Sequence, residues 1–105
     1  MLKTLQSKRK LKIKIKMEKT IVVRHKVGDI DTWLKGHQDR KDIFAPAVKS
    51  FKTFQDSDDP NSVILVMEVT DMEKLGAILN DPETKVAKDK HTVLEPIIMS
   101  ISVDL

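Results

Sequence analysis

The succession of apolar patterns along this chain predicts an α+β fold of βαββαβ order, a four-stranded antiparallel sheet with its helices on one face. Three observations carry that reading. The stretch SVILVMEV, Ser62 to Val69, shows no polar alternation through Val63, Ile64, Leu65, Val66 and Met67, so a strand built from it must be covered on both faces. Runs of strand type, TIVVRHKV and IIMSISV, stand near the two ends of the sequence. Helical stripes fall between the first and second strand-like runs and again between the third and fourth.

Thr20 to Val27 forms the first strand, with Ile21, Val23, His25 and Val27 on one face and Val22, Arg24 and Lys26 on the other; Gly28 closes it. Asp29 is placed to cap helix one, where Ile30, Trp33, Leu34 and His37 fall at i, i+3, i+4 and i+7. Pro46 bars its continuation. Val48 to Gln55 alternates imperfectly and reads as a half-exposed edge strand, joined by the turn Asp58-Asp59-Pro60-Asn61 to the central strand. Thr70 and Glu73 match a capping box for helix two, whose stripe is Met72, Leu75, Ile78 and Leu79. Asp81 and Pro82 then start a short third helix through about His91, a histidine expected to be solvated among lysines. Pro96 opens the last strand, with Ile97, Met99, Ile101 and Val103 on one side and Ile98, Ser100 and Ser102 on the other. Right-handed crossovers place strands one and three at the centre, the ferredoxin-like arrangement. The doubly apolar third strand, with Ile97, Met99 and Ile101 beside it, makes the face opposite the helices too apolar for water; a second copy is expected to cover it.

Composition bounds the rest. Length allows one domain and a modest core. Residues 1–16 hold seven basic side chains and no acid, so the overall charge of +3 conceals an acidic body. They are read as a basic extension, with the domain over residues 17–105 starting at Met17, although Leu11, Ile13 and Ile15 alternate with lysines in a pattern that would prolong the first strand. No apolar run approaches the length of a membrane span, and no secretory signal is apparent. The absence of cysteine removes disulfides, thiolate chemistry and Cys-based metal sites, which fits the cytoplasm. Nucleic acid is excluded as a partner, because TIVVRHKV and SVILVMEV carry no aromatic to stack on bases.

The segments VRHKV, DIDTWLKGH, DDPNSVILVMEVTDMEKL and DPETKVAKDKHTVLEPIIMSISV, spread over Glu18 to Leu105, resemble the dimeric α+β barrel superfamily, which includes antibiotic-biosynthesis monooxygenase-like, stress-responsive barrel and cyclase-like proteins. The resemblance implies sheets paired back to back in a homodimer and a small cavity between each sheet and its helices. It implies binding or transformation of a small apolar or aromatic molecule, monooxygenase- or cyclase-like and without a cofactor. The alternative is a non-catalytic dimerisation or ligand-binding module. The Asn, Trp and helix-two His of haem-degrading relatives have no counterparts at matching places here, which argues against haem.

His25 and His37 are the candidate catalytic residues, since a strand residue and a residue one turn beyond Trp33 would both reach such a cavity and imidazole moves protons near neutral pH. Trp33, Met67 and Met99 are the candidate substrate-binding residues; each serves equally as plain core. The three histidines are scattered without metal-ligand spacing, Asp56, Asp58 and Asp59 lack the spacing of a calcium loop, and the three glycines form no phosphate loop.

Overall fold

The computed structural model describes residues 18–105. The basic extension and the alternating Leu11, Ile13 and Ile15 lie outside the described residues. Eight elements follow one another: β1 (Lys19–Val27), α1 (Ile30–Lys35), α2 (His37–Phe44), β2 (Val48–Gln55), β3 (Ser62–Val69), α3 (Met72–Leu79), α4 (Pro82–Lys90) and β4 (Val93–Ile101). All strand pairs are antiparallel in the order β2-β3-β1-β4, so strands one and three are central as predicted and β2 is an edge.

The helix expected as one piece is two. In a continuous helix the Trp33 carbonyl would accept from His37 N–H. Here Gly36 N–H (3.1 Å) and Arg40 Nη2 (2.6 Å) donate to it instead. The break depends on glycine for space: a Cβ at Gly36 would lie 2.6 Å from His91 Nε2. Asp29 caps α1 as expected, accepting from Asp31 and Thr32 N–H, and Asp81 caps α4 with Pro82 in its first turn. At α3 the cap is Asp71, not Thr70; Thr70 hydrogen-bonds the Ala47 carbonyl and ties the start of that helix to β2.

Register decides the two faces of the sheet. Ile21, Val23, His25 and Val27 on β1 and Val63, Leu65, Met67 and Val69 on β3 are all buried beneath the helices. Val23 stands opposite Leu65 on one side and Met99 on the other, and cross-strand partners share a face. Met99 and Ile101 therefore point to the helix side, which corrects the sequence-based placement of that aliphatic row on the bare face. The bare face of β4 presents Ile98 and Ser100 opposite Arg24 and Val22. Its remaining apolar groups are Val22, Ile64, Val66, Leu94 and Phe54, with Phe54 and Ile98 49% and 44% exposed. Three residues of β4, Glu95 to Ile97, bulge opposite His25, between the pairs Arg24–Ile98 and Lys26–Leu94. Trp33, fully buried, fills the space between α1 and the sheet together with Phe44, Ala47 and Leu75.

Candidate functional site

A cavity of about 80 Å³ lies between the sheet and the helices. Its walls are apolar, with Val23, Leu65, Met67, Ile97 and Met99 from the sheet and Phe44 from α2; Leu79 and Met99, both partly exposed, stand at its rim. Four nitrogen-bearing side chains, His25, Arg40, Lys88 and His91, and the Thr84 hydroxyl interrupt this lining.

His25 reaches the cavity because β1 alternation turns it to the helix side. Its Nδ1 lies 2.9 Å from the Lys26 carbonyl, an acceptor only, so Nδ1 carries the proton and Nε2 keeps its lone pair. The ring meets Trp33 edge-on at 5.9 Å between centroids. Burial pushes its pKa below the ordinary value of about 6.5, against the hydrogen bond to Lys26 and aided by the charge of Arg40.

Arg40 is 5% exposed. Its guanidinium carbon sits 4.0 Å from the centre of the Trp33 ring, Nη2 donates to the Trp33 carbonyl, and Nη1 lies 3.2 Å from His91 Nδ1. Burial lowers its pKa to about 10, opposed by Asp39, which leaves it a cation at neutral pH. Among the described residues no carboxylate forms an ion pair with it.

His91 corrects the expectation of a solvated side chain: it is 3% exposed. It caps α4, and the next residue, Thr92, holds a left-handed φ of 61° that costs a β-branched residue about 1–2 kcal/mol. Gly28 N–H donates to the Thr92 carbonyl, and the Thr92 hydroxyl accepts from the Asp29 N–H and donates to the Asp29 carbonyl; these bonds fasten that turn to the β1–α1 junction and so press His91 inward onto Gly36. With Nδ1 accepting from Arg40, Nε2 bears the proton; it lies 3.5 Å from Asp39 Oδ2. Burial and then Arg40 depress its pKa, while Asp39 opposes them. Trp33 Nε1, Arg40 Nε and His91 Nε2 are buried and find no hydrogen-bond partner among the described residues.

The structure thus brings His25, Met67 and Met99 to the cavity, sets Trp33 behind it as the platform for Arg40, and leaves His37 out. The break at Gly36 explains the last point: His37 opens α2 half-buried on the β2 side, with Nδ1 3.4 Å from Thr53 Oγ1 and its ring against Phe51. Arg40 was not singled out from the sequence: the break at Gly36 puts it and Trp33 on separate helices, so no continuous stripe joins the two. Nothing near His91 in the sequence announces its burial. No group of three or more His, Cys, Asp or Glu among the described residues is placed to hold a metal ion, and none of their helices is long and apolar enough to cross a membrane.

Both cavity imidazoles are held neutral, and the sign of the pH response follows. Their folded pKa values lie below the unfolded value of about 6.5, so the unfolded chain takes up protons first as pH falls. Their penalty is absent above pH ~6.5 and grows below it. The melting temperature is expected to fall between pH 7.5 and 5.5, and the double variant His25→Gln, His91→Gln should flatten that slope; a wild-type curve that is level or rises toward acid would contradict the burial of neutral rings.

No protein-family model matches the chain, and no curated protein does. Solved structures do. SnoaB, a cofactor-independent oxygenase from Streptomyces nogalater, superposes with a TM-score of 0.68 at 17% identity over 84% of this chain and 93% of its own. A candidate antibiotic biosynthesis monooxygenase from Nitrosomonas europaea gives 0.66 at 15% identity, covering 84% and 90% of the two chains. Another from Bordetella bronchiseptica gives 0.68 at 10% identity, covering 84% and 97%. Identities this low carry the architecture and leave the chemistry open. The protein therefore has the ferredoxin-like fold of the antibiotic biosynthesis monooxygenases, members of the dimeric α+β barrel superfamily that its sequence resembles.

Proposed function

We propose that the protein binds a small, mainly apolar organic molecule between sheet and helices and acts on it as a cofactor-independent, monooxygenase-like enzyme, with His25 accepting a proton from the substrate. The observation that carries this reading is an imidazole held neutral, with Nε2 unprotonated, at the wall of a mainly apolar cavity. A base in that state is ready at neutral pH without prior deprotonation. The cofactor-independent oxygenase of Streptomyces nogalater supports the absence of a cofactor by likeness of fold. A cavity of about 80 Å³ is roughly half the ~150 Å³ that accommodates benzene, so a ring-sized ligand extends through the mouth beside Leu79 and Met99. The same modest volume favours, as a second reading, a ligand-binding module without turnover.

A screen of small aromatic and aliphatic compounds by thermal shift, followed by oxygen-consumption assays on the hits, separates the two. Under the enzymatic reading a hit is consumed, and His25→Gln leaves its thermal shift in place while lowering turnover by about 10²–10⁴-fold. Hits that bind and are never consumed favour the module; full turnover by His25→Gln would remove His25 from the chemistry.

We also propose that the working unit is a homodimer joined through the bare sheet face, where Phe54 and Ile98 are largely exposed beside Val22, Ile64 and Val66.

A further inference from the structure

We infer that the cavity takes an anion: an apolar body bearing one carboxylate or ionised enol oxygen, which the guanidinium of Arg40 binds. The inference rests on the reading of the cavity as a ligand site and specifies the charge of what enters it.

Guanidinium has five N–H donors. One is directed to the Trp33 carbonyl and one to His91 Nδ1, while Nε–H has no partner among the described residues. Among the described residues three donors are therefore uncommitted, on a residue that is 95% removed from water and lines the cavity. Stacking on Trp33 and the bond to its carbonyl hold the fork in a fixed plane, so little side-chain freedom would be lost when a ligand is bound.

Charge accounting points the same way. A desolvated cation without a counter-ion is costly, and a bound anion offsets that cost. Among the described residues no carboxylate pairs with it: Asp39, mostly exposed and beside His91 Nε2, only partly opposes the effect of burial on Arg40, and Glu95 pairs with Lys88 at 3.9 Å. The two imidazoles are neutral, and the other cation of the lining, Lys88, is partly exposed and pairs with Glu95, so the polar end is positive and Arg40 is its buried charge. An amine would meet like charge there, and a neutral amide would leave the guanidinium charge uncompensated. A carboxylate or enolate matches the fork in charge and in hydrogen-bond capacity.

Benzoate, benzamide and benzylamine share one ring and differ in charge, and titration calorimetry with the full-length protein at pH 7.5 compares them. Benzoate is expected to bind at least about tenfold more tightly than benzamide, with benzylamine weakest. Arg40→Met should remove about tenfold or more of the benzoate affinity and leave benzamide unchanged. Arg40→Lys, which keeps the charge and the aromatic stack but not the planar fork, should retain an intermediate preference and serves if the methionine variant does not fold. Equal affinity for benzoate and benzamide overturns the anion while leaving the cavity a ligand site. Benzoate binding untouched in both Arg40 variants overturns the role of Arg40, and failure of all three probes to bind removes the ligand site together with the inference.

Discussion

Val66→Asp is expected to convert a dimer into a monomer or to render the chain insoluble. Val66 sits in the middle of the bare face, opposite Val22 on one side and Lys52 on the other, and its side chain points away from the helices. In an isolated monomer a carboxylate there would meet water and cost little. In a face-to-face pair of sheets it would be taken out of water without a partner, which costs several kcal/mol for a charged group. A stable interface of this kind buries roughly 800 Å² on each partner, and one central charge is enough to undo it. Sedimentation equilibrium at micromolar concentration, with circular dichroism to verify folding, reads the result. A wild-type monomer, or a variant that associates like the wild type, would show that this face is wetted. Met99→Asp does not test the same surface, because Met99 faces the cavity.

Trp33→Ala should lower the stability of the fold by about 3–5 kcal/mol, a large part of the 5–15 kcal/mol typical of a domain. Trp33 is fully buried between α1 and the sheet, so its removal leaves a void that its neighbours fill only in part. It also takes away the aromatic face beneath Arg40 and the edge contact to His25. Trp33→Phe keeps a ring in place and should lose less. Denaturant unfolding measures both, and a loss under about 1 kcal/mol for Trp33→Ala would mean that the core closes over the gap. Arg40 couples this residue to the site, so benzoate affinity and stability should fall together in Trp33→Ala, whereas Arg40→Lys should spare more of the stability.

Much of the fold was legible because its signals are local. The uninterrupted apolar run of β3 requires cover on both faces, the alternation of β1 assigns His25 to the same side as Val23, and Asp29, Asp81 and Pro82 mark helix starts by chemistry within a few residues. Where two local signals compete, contacts distant in sequence decide. Thr70 and Asp71 both offer a cap for α3; Asp71 takes the role because the Ala47 carbonyl engages Thr70. The stripe Ile30, Trp33, Leu34 and His37 assumes an unbroken helix, and Arg40 and the His91 ring turn the chain at Gly36.

By itself the sequence determined the βαββαβ frame, the central pair of strands and the side of β1 on which His25 lies, since periodicity and capping are read over a few neighbouring residues. The tertiary structure alone decided which aliphatic row of β4 faces the helices, because period-two alternation groups residues without naming the covered side. It alone decided that Arg40 and His91, 51 residues apart, meet beside Trp33 to make the polar end of the cavity. Their burial is offset by partners from separate elements, and partners of that kind leave no pattern in either local stretch of sequence.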